Sequence, residues 1–344
     1  MIHILTYEQI DRNEWGKLVR KSKTGTWFQT PEAYEFFASQ PIIFQPFVYA
    51  VSDVRHALRA VCVGYVTVEK NPILQFFMRR AIVSGGPALA DDCTEGEVYT
   101  LMSMVRKKLS STRPFVYTPL SPIYIESRNF NDYSKWIGAF EKAGFRYQPH
   151  LNFHVDTSSM EIVKSNLRKS RKRDIRTTIR EGVTIVESRE ESAVRDFYAV
   201  LSKLYKTKVK TPLFPFDFFM ALSQHSDGRL LLIEYQGSVI GGTMCVELSG
   251  RCLYEWFTCG EDGVYPHIFP SCYATYAGIC YAAEHGCPRY DMMGAGKPDE
   301  AYGVRDFKKG FGGTLVEHGR FLNVRKPLLY RIGVMVVKML KKGI

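Results

Sequence analysis

Apolar residues recur in two rhythms along this 344-residue chain, and the switches between them mark out its elements. Helical spacing predicts helices over 14–21 and 31–39, the second opened by Pro31 behind Thr30, a first-turn proline after a capping residue. Extended apolar runs predict strands at 47–52, 58–69, 81–84 and 115–118, with a helix at 94–109 before the last of them. A helix over 132–143 stops at Gly144, and 145–155 reads as extended.

The order then repeats. One long helix is predicted over 160–181, ended by Gly182, followed by a strand at 183–187 and a helix at 190–205. A loop rich in Lys and Pro leads to a helix from Asp217, then a hairpin, 230–235 with 239–248, turning at Gln236-Gly237. A strand at 252–259, a helix at 271–285, a strand at 289–293 and a last hairpin near 314–324 complete the pattern. Helices mixed with hairpins imply mixed sheets, an α/β (α+β) chain built as two copies of one unit. The expected domains are 1–155 and 156–326, with an amphipathic helix at 327–344. That tail is too short to span a bilayer and suits either a membrane interface or docking on a core.

Composition is that of a soluble globular protein, 45% hydrophobic and 24% charged. The net charge of +11 becomes informative once located. Lys164 to Arg180 hold eight cations against the single acid Asp174, so +7 falls within 17 residues. Val163, Leu167, Ile175 and Ile179 form an apolar stripe on this segment, and the arginines project from the rest. Arg168, Arg171, Arg173 and Arg176 therefore form a candidate phosphate- or carboxylate-binding group, because guanidinium forks meet such anions bidentately.

The eight cysteines show no CxxC and no metal spacing, and they read as reduced, buried thiols. No metal site is expected. No signal-peptide pattern opens the chain and no apolar run reaches the length of a spanning helix, which gives a cytoplasmic expectation, with the inner membrane face as a place of contact. GxSxG, HExxH and GxGxxG do not appear in a usable context, and Gly294-Ala295-Gly296-Lys297-Pro298 fails the phosphate-loop spacing.

The segment Tyr290-Asp291-Met292-Met293-Gly294 followed by Tyr302 through Gly313 carries the candidate chemistry. A strand runs into a glycine-opened crevice, and Lys308 sits in an aromatic segment between Phe307 and Phe311. An ammonium fixed there can meet an anionic oxygen. On the strand 252–259, Tyr254 and Trp256 share one face as candidate acceptor-pocket residues, while Glu255, with Phe257 on the other face, is a candidate general base. Ser271 is placed to cap the next helix at an anion-binding N-terminus, and Tyr302 opens the aromatic segment.

Taken together, Trp27-Phe28-Gln29-Thr30-Pro31-Glu32, Leu167 through Arg176 with Glu181-Gly182-Val183, Gly237 to Gly242, and Tyr290-Asp291 with Phe307-Lys308-Lys309-Gly310-Phe311-Gly312 resemble the Fem aminoacyltransferases and the related acetyltransferase-like proteins. The resemblance implies two tandem GNAT-like (acyl-CoA N-acyltransferase) domains and transfer of an acyl group to an amine. It implies no permanently bound cofactor, a donor that is charged tRNA or an acyl thioester such as acyl-CoA, and an amine-bearing cell-envelope precursor as acceptor. Lys308, with Phe307, would stabilise the tetrahedral intermediate or hold a phosphate, and Lys308→Ala would slow turnover while leaving folding intact. The arginines would face donor or acceptor phosphates and open with Lys308 into one chamber. The loop 261–271 lacks the Gln/Arg-x-x-Gly-x-Gly/Ala pattern by which ordinary GNAT enzymes hold the coenzyme A pyrophosphate. Two other readings stay open: acyl-thioester transfer in envelope lipid or polysaccharide synthesis, and a non-catalytic module binding nucleic acid or anionic lipid through the basic helix.

Overall fold

The computed structural model of the protein describes residues 2–68, 75–76, 79–109 and 122–342, with side chains to Met335. The strand expected at 115–118 lies outside the described residues. The chain divides into two compact units, Met1–His150 with Glu317–Ile344, and Leu151–Val316. Residues 317–326, expected in the second domain, and the tail helix, expected as a separate element, thus belong to the first unit.

The first unit has strands β1 (His3–Thr6), β2 (Phe44–Ser52), β3 (Leu58–Thr67), β4 (Arg80–Gly85), β5 (Ala88–Leu89), β6 (Tyr124–Asn129) and β7 (Arg146–Gln148). Their order is β1-β2-β3-β4-β6, then Arg320–Val324, then β7, with β5 on β3. Helices α1 (Arg12–Lys21), α2 (Pro31–Ala38), α3 (Glu95–Lys108) and α4 (Ile137–Lys142) accompany them. The Trp-Phe-Gln-Thr-Pro-Glu motif has a structural job here. The buried Gln29 side chain receives the Val63 N–H at 2.8 Å and donates to Ser84 O at 2.6 Å, stitching β3 to β4. Thr30 then caps α2 through the Ala33 N–H.

The second unit has strands β8 (Leu151–Asp156), β9 (Thr184–Glu187), β10 (Gly228–Tyr235), β11 (Ser238–Leu248), β12 (Cys252–Gly260), β13 (Arg289–Gly294) and β14 (Thr314–Glu317), ordered β14-β8-β13-β12-β11-β10-β9. Its helices are α5 (Met160–Asn166), α6 (Lys169–Arg180), α7 (Glu191–Leu204), α8 (Phe216–Gln224), α9 (Pro270–Glu284) and α10 (Gly303–Lys309). The β10–β11 turn places Gln236 at φ 50° and Gly237 at φ 76°, the two left-handed residues that match a tight hairpin to strand twist. One apolar core joins the sheet to α9, with Leu253, Ile279, Tyr290 and Phe311 among its members.

Three expectations change. The helix predicted over 160–181 is two helices, because Leu167 and Arg168 are extended at ψ 133° and 152°. Leu167 turns into the core, and the Arg168 N–H goes to Gly310 O at 3.0 Å instead of continuing the helix. The segment 314–324 is no hairpin. β14 lies beside β8, whereas Arg320–Val324 (β15) pairs with β6 and β7 in the other sheet, anchored by Phe321 stacked on Phe140 at 3.8 Å. In β12 a bulge opposite Met244 and Cys245 breaks the period-two pattern. Trp256 and Phe257 both pack on Phe218 of α8, so Phe257 shares the face expected for Trp256 alone.

The tail forms helix α11 (Pro327–Lys342), whose Tyr330 meets Tyr124 edge-on while Leu328 and Met335 stay exposed. No helix among the described residues is long and apolar enough to cross a membrane.

Candidate active site in the second unit

β12 and β13 run parallel but share only two pairings, Leu253 with Tyr290 and Tyr254 with Asp291. Past them the strands part, and β13 must find other partners for its backbone. Lys308 supplies one. Its ammonium donates to Gly294 O at 2.9 Å and, in a short contact, to Met292 O. Between these carbonyls Met293 adopts φ 59°, a left-handed conformation that a non-glycine residue adopts at a cost of roughly 1–2 kcal/mol. Asp291 fixes the kink by accepting the Met293 N–H at 2.7 Å, where the pairing of β13 with β8 also shifts. A lysine and an aspartate thus hold the end of β13 bent away from β12.

Lys308 is buried on α10. Burial pulls its pKa below the ordinary lysine value, against the opposing charges of Glu255 and Asp291. Burial likewise pushes the Glu255 carboxyl upward, while Lys308 and the Tyr290 hydroxyl work the other way. That hydroxyl donates to Glu255 at 2.8 Å. Asp291 is fully buried, yet it stays below the usual carboxylate range: burial is outweighed by His154, Arg289 and the Met293 N–H. His154 Nε2 stands 3.2 Å from Asp291 Oδ2. Two acids in adjacent positions of neighbouring strands are therefore pushed apart in acidity, and a partly desolvated ammonium lies within the field of both.

The basic helix touches this centre through one residue. Arg171 lays its guanidinium over Phe307 at 4.6 Å and Phe311 at 5.3 Å, and donates to Phe307 O at 3.3 Å. Gly310 makes room for it, since a Cβ there would come within 2.7 Å of Arg171 Nε. Arg168, Arg173 and Arg176 are exposed. Arg173 binds Asp174 at 3.0 Å, and Arg176 lines a groove with Tyr276 of α9. The single chamber expected for Lys308 and the arginines does not form: the ammonium turns into the sheet while three of the four guanidinium groups turn to solvent.

Other expected residues are placed as follows. Tyr254 is enclosed completely, so it can support a pocket only from within, and Trp256 is half-buried against α8. Tyr302 is exposed at the start of α10, its ring against Gly296. Ser271 does not cap α9. The cap residue is Phe269, and the Ser271 N–H is taken by Asp262 Oδ1 at 3.1 Å, with Gly260 allowing the close approach. The eight cysteines are unpaired, and burial pushes thiols such as Cys245 and Cys272 up to about 12, too high for a nucleophile at neutral pH. No group of three or more metal-binding side chains occurs among the described residues.

Sequence reasoning missed Tyr290, His154, Asp262 and the kink at Met293. Asp291 gave a usable signal, since an acid inside the apolar run Tyr290–Met293 demands a partner. His154 gave none, because its partner Asp291 is distant in sequence, and Asp262 gave none, because it reaches Ser271 across an irregular loop with no pattern to read.

Residues 164–309 match the model of an acetyltransferase (GNAT) domain. No curated protein matches the sequence. Among solved structures, FemX superposes with a TM-score of 0.70 at 13% identity over 96% of this chain and 99% of its own. The C-terminal domain of a candidate lysylphosphatidylglycerol synthetase from Agrobacterium fabrum gives 0.56 at 12% identity, covering 96% of each chain. A tandem GNAT protein from the clavulanic acid biosynthesis pathway gives 0.54 at 9% identity, covering 94% of this chain and 98% of that one. The chain therefore has a tandem GNAT fold like that of FemX, and its residues 164–309 are similar to an acetyltransferase (GNAT) domain.

Proposed function

We propose that the protein is an N-acyltransferase that moves an aminoacyl group from charged tRNA to an amine on a cell-envelope precursor. The observation that carries this reading is Lys308, a buried ammonium wedged where β12 and β13 diverge, with Glu255 and Asp291 in its field. Two of its three donors go to backbone carbonyls, which leaves one for an acyl oxygen. The amine, once deprotonated, attacks the ester carbon and forms the new C–N bond. Negative charge gathers on the carbonyl oxygen, where Lys308 stabilises it by roughly 3–4 kcal/mol. Collapse breaks the C–O bond, and the departing ribose oxygen takes a proton. Glu255, with its raised affinity for a proton, is the proposed acceptor of the proton lost by the amine.

Phe307 shields the wedge and seats Arg171, which with Arg168, Arg173 and Arg176 would meet phosphates. Tyr302 and Trp256 are the proposed acceptor contacts, with Tyr254 behind them. Asp262 favours tRNA over coenzyme A as donor. Its carboxylate takes the Ser271 N–H in the first turn of α9, a donor that a pyrophosphate would otherwise use. FemX and the lysylphosphatidylglycerol synthetase candidate share the fold, and the latter's name describes an aminoacyl group placed on an envelope lipid.

The test is direct transfer. The protein is given tRNA charged with labelled amino acids and, separately, labelled acetyl-CoA, each with a lysine-containing peptidoglycan precursor. Label reaching the precursor amine from tRNA supports the assignment. Transfer from acetyl-CoA alone overturns the donor, and transfer from neither overturns the reaction.

A further inference from the structure

On the second unit, a groove of about 520 Å³ is lined by Lys164, Leu167, Lys172, Ile175, Arg176 and Ile179, with Tyr276 of α9 beside them. It exists because α5 and α6 are separate helices: the break at Leu167–Arg168 swings their ends apart over α9. Three lining groups are cationic, and no acid lines the groove. Asp174, the one acid of the basic segment, is committed to Arg171 at 3.4 Å and Arg173 at 3.0 Å. The Arg176 side chain makes no hydrogen bond or ion pair among the described residues. The floor is aliphatic, with Leu167 and Ile175 buried beneath it and Ile179 left 50% exposed at its mouth. Ile179 continues the aliphatic floor out to solvent, so apolar surface and cationic groups lie side by side in one groove.

We propose that this groove docks an anionic phospholipid of a membrane surface, its phosphate among Lys164, Lys172 and Arg176 and its glycerol and upper chain on Ile175, Ile179 and Tyr276. The volume suits a headgroup with the first part of its chains. The combination separates lipid from nucleic acid. A polynucleotide would need the cations but would draw on aromatic faces for stacking, and the floor offers three aliphatic side chains and one ring. None of these side chains belongs to the wedge at Lys308, and of the arginines assigned above to phosphates only Arg176 is shared, so Lys172 and Ile179 test the groove separately from the acyl-transfer reading.

The experiment is flotation of the full chain with phosphatidylcholine vesicles, with and without phosphatidylglycerol. Variants are Arg176→Glu, Lys172→Glu, Ile179→Ser and, as a control in the tail helix, Leu328→Glu. Binding should require phosphatidylglycerol and fall roughly fivefold or more with either charge reversal. It should also fall severalfold with Ile179→Ser, a change that leaves the charge untouched. Thermal melting of each variant shows that the fold is kept. Binding that Leu328→Glu abolishes and the groove variants leave unchanged overturns the proposal. So does vesicle binding that is absent while a labelled RNA binds in an Arg176-dependent, Ile179-independent manner.

Discussion

The Tyr290 hydroxyl donates to Glu255 Oε2 at 2.8 Å, and both side chains are shut inside the second unit. That bond moderates the acidity of the candidate base. Tyr290→Phe removes it, so the Glu255 carboxyl should hold its proton to still higher pH. The acid limb of the kcat/KM profile should then move upward, and urea unfolding should show a loss of about 1–3 kcal/mol. An unmoved limb would remove Glu255 from the proton-transfer role.

Gly278 leaves the notch in which that hydroxyl sits, and a Cβ there would lie 2.4 Å from Tyr290 Oη. Gly278→Ala should therefore cost about 1–3 kcal/mol through overpacking, despite alanine's better helix propensity. Combining it with Tyr290→Phe removes the clashing oxygen. The double variant should be less destabilised than the sum of the single changes, measured by denaturant titration. The ring carbons at 2.7 and 2.8 Å remain in the double variant, so relief is partial, and strict additivity would show that the hydroxyl adds nothing to the clash.

Lys308→Ala should lower turnover roughly a hundredfold or more if the ammonium meets the oxyanion. The same change leaves the Met292 and Gly294 carbonyls without their buried donor, so it should also destabilise by about 1–3 kcal/mol. The sequence-based expectation of unaffected folding is revised for that reason. Single-turnover rates taken well below each variant's melting temperature separate the two effects. Normal turnover in a destabilised protein would leave Lys308 with a structural role only.

Glu255 and Asp291 predict opposite responses of stability to pH. Glu255 has a raised pKa in the fold, so its contribution is complete below the ordinary glutamate value of 4.5 and is lost as pH rises through the folded value. Asp291 is lowered, so its contribution is present above 3.8 and lost as pH falls through its folded value. Glu255→Gln should flatten the alkaline side of a stability–pH curve, and Asp291→Asn the acid side. Reversed assignments in denaturation series would contradict the burial and pairing described for the two acids.

Much of this was legible in the sequence, for identifiable reasons. Helix α9 and strands β10 to β13 announce themselves through local pattern, with Gly286 and Gln236-Gly237 as punctuation, and their bounds fall within two residues of those expected. Lys308 and Glu255 stand out in the sequence because each is a charge set in an aromatic or apolar run. What stayed hidden depends on distant partners. Continuous helical spacing concealed the break at Leu167–Arg168, which is set by Gly310, more than a hundred residues on. A one-residue bulge at Trp256 of β12 is invisible to alternation, yet it decides which way Trp256 and Phe257 face.

The strands β14 and β15, two residues apart, serve different sheets. β15 is an interior strand, held between β6 and β7, so the sheet that begins at the amino terminus is finished by residues 320–324. During synthesis the first unit must wait, its β6 edge open, until residues 320–324 have emerged. The later-made unit needs nothing beyond β14 to close its own sheet. Order of completion is thereby inverted relative to order of translation, and a chain stopped short of β15 would expose an unpaired, aggregation-prone edge in the half that was made first.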